Sequence, residues 1–203
     1  MEQRTDEWFT ARLGKVTASR VADVISKTKS GPSASRANYL AELVAERLTG
    51  NPAESFKSSA MQWGIDTEAQ AILGYEVVSG QTVKAVGFVE HPTLGMTGAS
   101  PDGLIGLDGL IEVKCPNTAT QIDLLLIGKV PQKYVTQMQW QMACTGRKWC
   151  EFVSFDPRLP ANMQFFIKHV VRDDDYIAML ELEVSAFLDE VSGTVDALQR
   201  AFK

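Results

Sequence analysis

Apolar residues recur along the chain in two rhythms, and the changes between them mark its elements. A spacing of three or four predicts helix; alternation, or a short unbroken run, predicts strand. Residues 6–14 read as a short helix ended by glycine, and a second helix starts at Thr17-Ala18-Ser19 with Val21, Val24 and Ile25 as its apolar face. Residues 28–35 form a polar loop with breaker residues. Residues 36–49 follow as an amphipathic helix, with Leu40, Leu43, Val44 and Leu48 on one side, Tyr39 in the core and Gly50 as its stop. Residues 58–74 predict a helix whose buried stripe is Ala69, Ile72 and Leu73, and residues 77–90 alternate loosely around Val77, Val83, Val86, Phe88 and Val89 as strand. A short helix at 122–127, closed by Gly128 and Pro131, precedes another at 132–145 ended by Gly146. Residues 149–155 and 163–171 are rich in strand formers. The acids Asp173, Asp174 and Asp175 then open a long helix to about Ala201, where they favour the positive end of the helix dipole. Its stripe is Ile177, Leu180, Val184, Phe187, Leu188, Val191, Val195 and Leu198.

The stretch from Ala99 to Pro116 organises the rest. Leu104-Ile105 and Leu110-Ile111 flank Gly106-Leu107-Asp108-Gly109, which reads as a β-hairpin. Alternation along a strand sends Ile111 and Val113 into a core and Glu112 and Lys114 to a polar face. Asp102, near the start of the first strand, comes close to Glu112 across the pair. Two carboxylates and a lysine so placed suit phosphodiester cleavage. Mg²⁺ takes one or two carboxylates together with phosphate and water oxygens. Asp102 and Glu112 supply the acids, and the Val113 carbonyl can add a further oxygen. Lys114 can orient or deprotonate the attacking water and offset charge on the phosphate. One ion activates the water and a second stabilises the leaving oxygen. Taken singly, the same residues are ordinary solvated strand positions.

Composition narrows the setting. The chain has 203 residues, enough for one domain over 1–203, and its 45% hydrophobic and 22% charged content is that of a water-soluble protein. No apolar run approaches membrane-spanning length, so no membrane partner is expected. The N-terminal residues are charged and lack an apolar signal core. Cys115, Cys144 and Cys150 are odd in number and lack Cys-x-x-Cys spacing, which favours a reducing, cytoplasmic setting over disulfides or zinc. A net charge of −5 runs against a nucleic-acid partner, but its distribution is uneven. Residues 12–36 carry Arg12, Lys15, Arg20, Lys27, Lys29 and Arg36 against Asp23 alone, while residues 172–203 carry three basic residues against eight acids. One end can therefore face phosphates and the other water or a neighbour. Neither Gly14-Lys15 nor Gly128-Lys129 is followed by Ser or Thr, so there is no Walker-type phosphate loop.

Ser100-Pro101-Asp102-Gly103, followed by Ile111-Glu112-Val113-Lys114-Cys115-Pro116, resembles the catalytic core of the restriction-endonuclease-like nuclease superfamily. More narrowly it is similar to the phage-lambda-type exonucleases, the YqaJ-like viral recombinase nucleases. Three further blocks carry the likeness: Trp8…Arg12-Leu13-Gly14…Thr17-Ala18-Ser19, Trp63-Gly64…Glu68…Ala71, and Tyr134…Gln137…Gln139. The blocks span residues 8–155, with the strands and long helix of 148–203 expected in the same domain. By spacing alone, Arg12 is a surface arginine and Ser19 a helix cap beside amides that suit an anion. Glu68 is a solvated helix residue, Met61 packs in a core, and Tyr134, Gln137 and Gln141 share a helix face.

The resemblance implies more. Arg12, Ser19 and Ser100 receive a terminal DNA phosphate, Glu68 joins the metal site as a third acid, Met61 wedges the duplex end, and Gln137 positions the lysine or water. The implied fold is α/β, a central mixed sheet flanked by helices. The implied activity is Mg²⁺-dependent removal of nucleotides from the 5′ strand of double-stranded DNA, with two ions per site and Mn²⁺ as a substitute. It leaves 3′ tails for single-strand annealing. A ring-shaped homotrimer, an annealing protein as partner and a phage or prophage gene in a bacterial cell complete the expectation. The alternatives are a structure- or site-specific endonuclease of the same superfamily and a non-catalytic DNA-binding or annealing module.

Overall fold

The computed structural model describes residues 2–29, 31–53 and 59–202. Ser30, within the expected polar loop, and Ser58, where a helix is expected to begin, lie outside them. The elements run α1 (Asp6–Arg12), β1 (Val16–Thr17), a 3₁₀ turn (Ala18–Arg20), α2 (Val21–Val24), β2 (Lys27–Thr28), β3 (Gly31–Pro32), α3 (Ala34–Thr49) and α4 (Ser59–Ser79). They continue as β4 (Val83–Lys84), β5 (Val89–Glu90), β6 (Thr97–Ala99), β7 (Gly103–Ile105), β8 (Gly109–Lys114), α5 (Thr118–Ile127), α6 (Gln132–Thr145), β9 (Trp149–Phe155), β10 (Phe165–Val171) and α7 (Asp174–Ala201).

The central sheet has the order β10-β9-β8-β7-β4. β7 and β8 form the expected hairpin, with Gly103 opposite Ile111 and Ile105 opposite Gly109. β8 and β9 are parallel, from Gly109 opposite Trp149 to Lys114 opposite Ser154. Parallel neighbours need a crossover, and the α5–α6 pair provides it. A second small sheet, β1-β6-β5, carries the segment leading into the hairpin. Gly103 has a steric reason to lack a side chain, because a Cβ there would lie 2.2 Å from Val83 Cγ1 of the neighbouring strand. α6 stops at Gly146, which takes the left-handed conformation at φ +70°.

Side chains leave β8 on both faces into packed layers. Ile111 and Val113 join Ala71 and Tyr75 of α4, with Val153 and Phe155 of β9. Leu110 joins Leu124 of α5 and Met138 and Met142 of α6, with Phe152. A third cluster packs α2, α3 and α7 around Trp140, Tyr39 and Phe187. The alternation read from the sequence holds, but the face of Glu112 and Lys114 is covered rather than open to water. β8 is a central strand covered on both sides, so Glu112 is 1% exposed beneath α6 rather than in water.

Other expectations shift for local reasons. Thr17 does not start a helix, because Val16 and Thr17 pair with Thr97 and Gly98, and only a 3₁₀ turn and the four-residue α2 follow. The polar loop is tied by pairing of Lys27–Thr28 with Gly31–Pro32, and α3 begins at Ala34 behind the Ser33 cap. α4 continues to Ser79, so Val77 is helical and exposed rather than on a strand. Its buried positions are Thr67, Ala71 and Tyr75, with Ile72 partly buried, while Ala69 and Leu73 face solvent. Leu48 and Leu198 are exposed as well. The charge-divided ends do not lie wholly apart: Lys27 pairs with Glu183 and Arg36 with Glu190 of α7, while Arg12 bonds the neutral Ser100. Among the described residues no helix is long and apolar enough to cross a membrane.

Candidate active site

The hairpin register brings the two acids together. Asp102 sits in the bend before β7, and its Oδ2 accepts the backbone N–H of Val113 at 2.6 Å. Glu112, one position earlier on β8, is therefore its neighbour. Lys114 lies two residues on, on the same face, and its Nζ donates to Glu112 Oε1. From α6, Gln137 Nε2 donates to Glu112 Oε1 at 2.7 Å and Gln141 Nε2 to Oε2 at 2.6 Å. These glutamines are one helical turn apart, so both reach a single carboxylate below. Tyr134 lies one turn earlier, with its ring centroid 5.3 Å from Lys114 Nζ.

The charges of this group shape each other. Burial pushes the Asp102 carboxyl well above its usual range, and the negative charges of Glu112 and Glu68 push it further against the opposing effect of Lys114 and the Val113 N–H. Burial works against the Lys114 ammonium, but Glu112 and Asp102 outweigh it and hold the proton more tightly than usual. In this arrangement the Lys114 ammonium donates its hydrogen bond to Glu112.

A cavity of about 560 Å³ opens beside the group, lined by Val113, Lys114, Gln137, Glu68, Gly64 and Met61 among others. Glu112 and Asp102 stand one contact behind this lining, through Lys114, Gln137 and Val113. Glu68 reaches the cavity from α4, but its carboxylate is held by Arg4 at 2.6 Å. Among the described residues no three His, Cys, Asp or Glu side chains are grouped to hold a metal ion. The oxygen set nearest to doing so is Asp102, Glu112 and the Val113 carbonyl, hard donors of the kind Mg²⁺ takes together with water.

A second cavity of about 370 Å³ is lined by Trp8, Arg12, Ser19, Arg20, Tyr39 and Met61 among others. Ser19 and Met61 line both cavities, so the two adjoin. Arg12 Nη1 donates to Ser100 Oγ at 3.0 Å, and its guanidinium lies 4.2 Å from the Trp8 ring centroid. Ser100 also accepts from Trp8 Nε1 at 3.0 Å. Ser19, exposed in the 3₁₀ turn, lines the same cavity as Arg12 but makes no hydrogen bond to Arg12 or Ser100, and Ser100 stands behind the lining through Arg12; the Ser19 hydroxyl contacts Thr17 Oγ1 at 3.4 Å. Met61 is 53% exposed, which sets aside core packing as its explanation.

Three contacts at this site escaped the reading of the sequence. Gln141 shares the Tyr134–Gln137 face, but its grip on Glu112 depends on how close α6 lies to β8. Arg4 and Trp8 reach Glu68 and Ser100 across 64 and 92 residues, separations that no local pattern reports. Gln139 of the same block is structural: it donates to Val171 O and accepts from Asp173 N, tying α6 to the start of α7.

The chain is similar to known proteins in sequence and in fold. The model of the YqaJ-like viral recombinase domain matches residues 7–148. An alkaline exonuclease, LHK-Exo, from Laribacter hongkongensis is 53% identical, with 97% of each chain covered and a TM-score of 0.91. The structure of LHK-Exo in complex with dAMP superposes with a TM-score of 0.92. A phage-related exonuclease from Haemophilus somnus 129PT shares the fold at 18% identity, covering 91% of this chain and 96% of its own, with a TM-score of 0.70. No curated protein matches the chain.

Proposed function

The chain belongs to the YqaJ-like viral recombinase family and is a DNA-hydrolysing exonuclease of restriction-endonuclease-like α/β fold, and from that premise we propose that it degrades the 5′ strand of double-stranded DNA in a divalent-metal-dependent reaction, leaving 3′ single-stranded tails for annealing. The observation that carries this reading is the adjoining of two cavities. One contains Lys114 over the Asp102–Glu112 pair; the other contains Arg12 bonded to Ser100.

Each residue then has a task. Arg12, Ser19 and Ser100 receive the terminal phosphate, with Trp8 holding the Arg12 and Ser100 side chains in place. Met61, at the boundary of the two cavities, separates the strands at the duplex end. Asp102, Glu112 and the Val113 carbonyl would hold the metal, Mg²⁺ or Mn²⁺, as two ions per site, and Glu68 would join as a further acid once released from Arg4. The fit rests on two carboxylates held close together under cover: burial first, and the charge of Glu112 after it, raise Asp102, and a bound cation would offset both. Bound there, the metal supplies a more acidic water and positive charge for the leaving oxygen. Lys114 orients that water and offsets phosphate charge, while Gln137 holds the Glu112 oxygen that Lys114 shares.

LHK-Exo binds dAMP in one of its structures, and a mononucleotide is the product class expected here. The C-terminal strands belong to the same nuclease domain in this reading, since β9 and β10 complete the central sheet. Family membership extends the proposal to a ring-shaped homotrimer, an annealing protein as partner and a phage or prophage origin. The nearer alternative is a structure- or site-specific endonuclease. Incubation of linear duplex and covalently closed plasmid with Mg²⁺ tests the choice. An end-dependent enzyme releases nucleotides from the linear form and leaves the closed circle intact; nicking of the circle overturns the proposal.

A further inference from the structure

Glu112 is sealed from water, so protein groups alone decide which way its carboxylate faces. Rotation about the terminal bond of a glutamate is soft, and one contact does not fix it. An ionised carboxylate offers about four lone-pair directions. On Oε1, Lys114 and Gln137 use two of them. On Oε2, Gln141 uses a third. The direction left for a cation is thus on the oxygen that Gln141 holds.

Gln141 differs from Gln137 in its surroundings. Gln137 lines the cavity and can meet substrate, whereas Gln141 is 0% exposed and lines no part of it. Its own Oε1 is buried with no hydrogen-bond partner among the described residues. As a packing element this amide is a poor choice, because its own oxygen is left unpaired; an apolar side chain of the same length would remove that cost but would strip Glu112 Oε2 of its donor. What it supplies is one donor aimed at one oxygen.

We propose that Gln141 is a positioning residue for the metal site: by donating to Glu112 Oε2 it fixes the carboxylate's rotation and sets how tightly the site takes a divalent cation. The role rests on the metal-dependent reading above. Partners that orient a ligand without touching the metal typically change metal affinity by roughly 10–100-fold when removed.

The test is the near-isosteric Gln141→Met, which removes the donor and keeps the volume. Mn²⁺ binding is measured by titration calorimetry in the absence of DNA, and nucleotide release from linear duplex is measured against Mg²⁺ concentration. Q141M is expected to bind Mn²⁺ about tenfold more weakly. It should need correspondingly more Mg²⁺ for half-maximal rate, while KM for DNA ends stays near wild type; the melting temperature in EDTA falls by a few degrees under either role, because Glu112 Oε2 loses its donor, so the Mn²⁺ affinity decides. A merely structural role would lower the melting temperature and leave Mn²⁺ affinity alone. Mn²⁺ affinity and Mg²⁺ requirement within twofold of wild type overturn the role. Should Q141M fail to fold, Gln141→Asn, whose amide ends one carbon short, is measured in the same way, and wild-type Mn²⁺ affinity there overturns it equally. Wild-type protein that neither binds Mn²⁺ nor needs Mg²⁺ overturns the metal-dependent reading itself, and this role with it.

Discussion

Asp102 accepts the main-chain N–H of Val113 across the hairpin, one residue beyond Gly103 on one strand and two beyond Ile111 on the other, the last paired residues. This one bond seats an acid from the loop beside an acid from the strand. It holds the Asp102 carboxylate by its Oδ2 and leaves Glu112 to be held from α6.

Asp102→Asn preserves the bond, because the amide oxygen accepts the same N–H, but removes the charge. Nucleotide release is expected to fall at least roughly 100-fold through loss of metal-ion catalysis. The melting temperature in EDTA is expected to hold or rise, since Glu112 loses a repelling neighbour. A parallel loss of activity and stability would mark Asp102 as structural instead.

Lys114→Ala leaves both carboxylates in place. Binding to linear duplex should stay within a few-fold of wild type by gel shift, while cleavage falls by roughly 10²–10⁴-fold. Cleavage near the wild-type rate would remove Lys114 from the chemistry.

Arg12→Ala leaves Ser100 with its Trp8 bond but without the guanidinium. The preference for 5′-phosphorylated over 5′-hydroxyl ends should fall about tenfold or more, as expected for losing a charge-assisted phosphate contact. The rate on 5′-hydroxyl ends should change far less. Equal preference before and after the substitution removes the phosphate pocket.

The hairpin, its register and the helix stops at Gly50, Gly128 and Gly146 were legible because each depends on neighbours within a few residues. Asp102, Glu112 and Lys114 were legible for the same reason: the β-pleat sets their placement. Burial of Glu112 was not, because covering its face takes α6, a separate element whose approach no strand pattern encodes. Val77 and Val78 look like strand residues, yet α4 keeps them to its exposed side, where β-branching costs it only tenths of a kcal/mol per residue, of order 0.5. The basic stretch at 12–36 suggested one phosphate-facing surface, but the fold divides it: Lys27 and Arg36 are set against Glu183 and Glu190, while Arg12 lines the second cavity. Charge counted along a chain does not reveal where the counter-charge will lie.

Asp156 gives the fold a pH dependence away from the metal site. Burial pushes its carboxyl up, but hydrogen bonds from Arg158 and Thr118 outweigh this and hold it below its usual value. Arg158 also stacks 4.3 Å from the Trp63 ring centroid, tying the end of β9 to α4. The unfolded chain therefore binds this proton more readily than the folded one. The stabilisation is complete above the ordinary carboxylate pKa of about 3.9 and is lost as pH falls through the lower folded value. Asp156→Asn should lower the melting temperature at pH 7 by about 2–4 °C, and the gap should narrow as pH falls below the ordinary carboxylate value of about 3.9. A gap independent of pH would contradict this role.

Digestion of linear duplex labelled at either the 5′ or the 3′ end, with Mg²⁺ and with EDTA, tests the paired cavities most directly. The expected result is prompt release of the 5′ label as mononucleotide, retention of the 3′ label in a long strand, and no release in EDTA. Release of the 3′ label first, or equal release in EDTA, would contradict a metal site set beside a 5′-phosphate pocket.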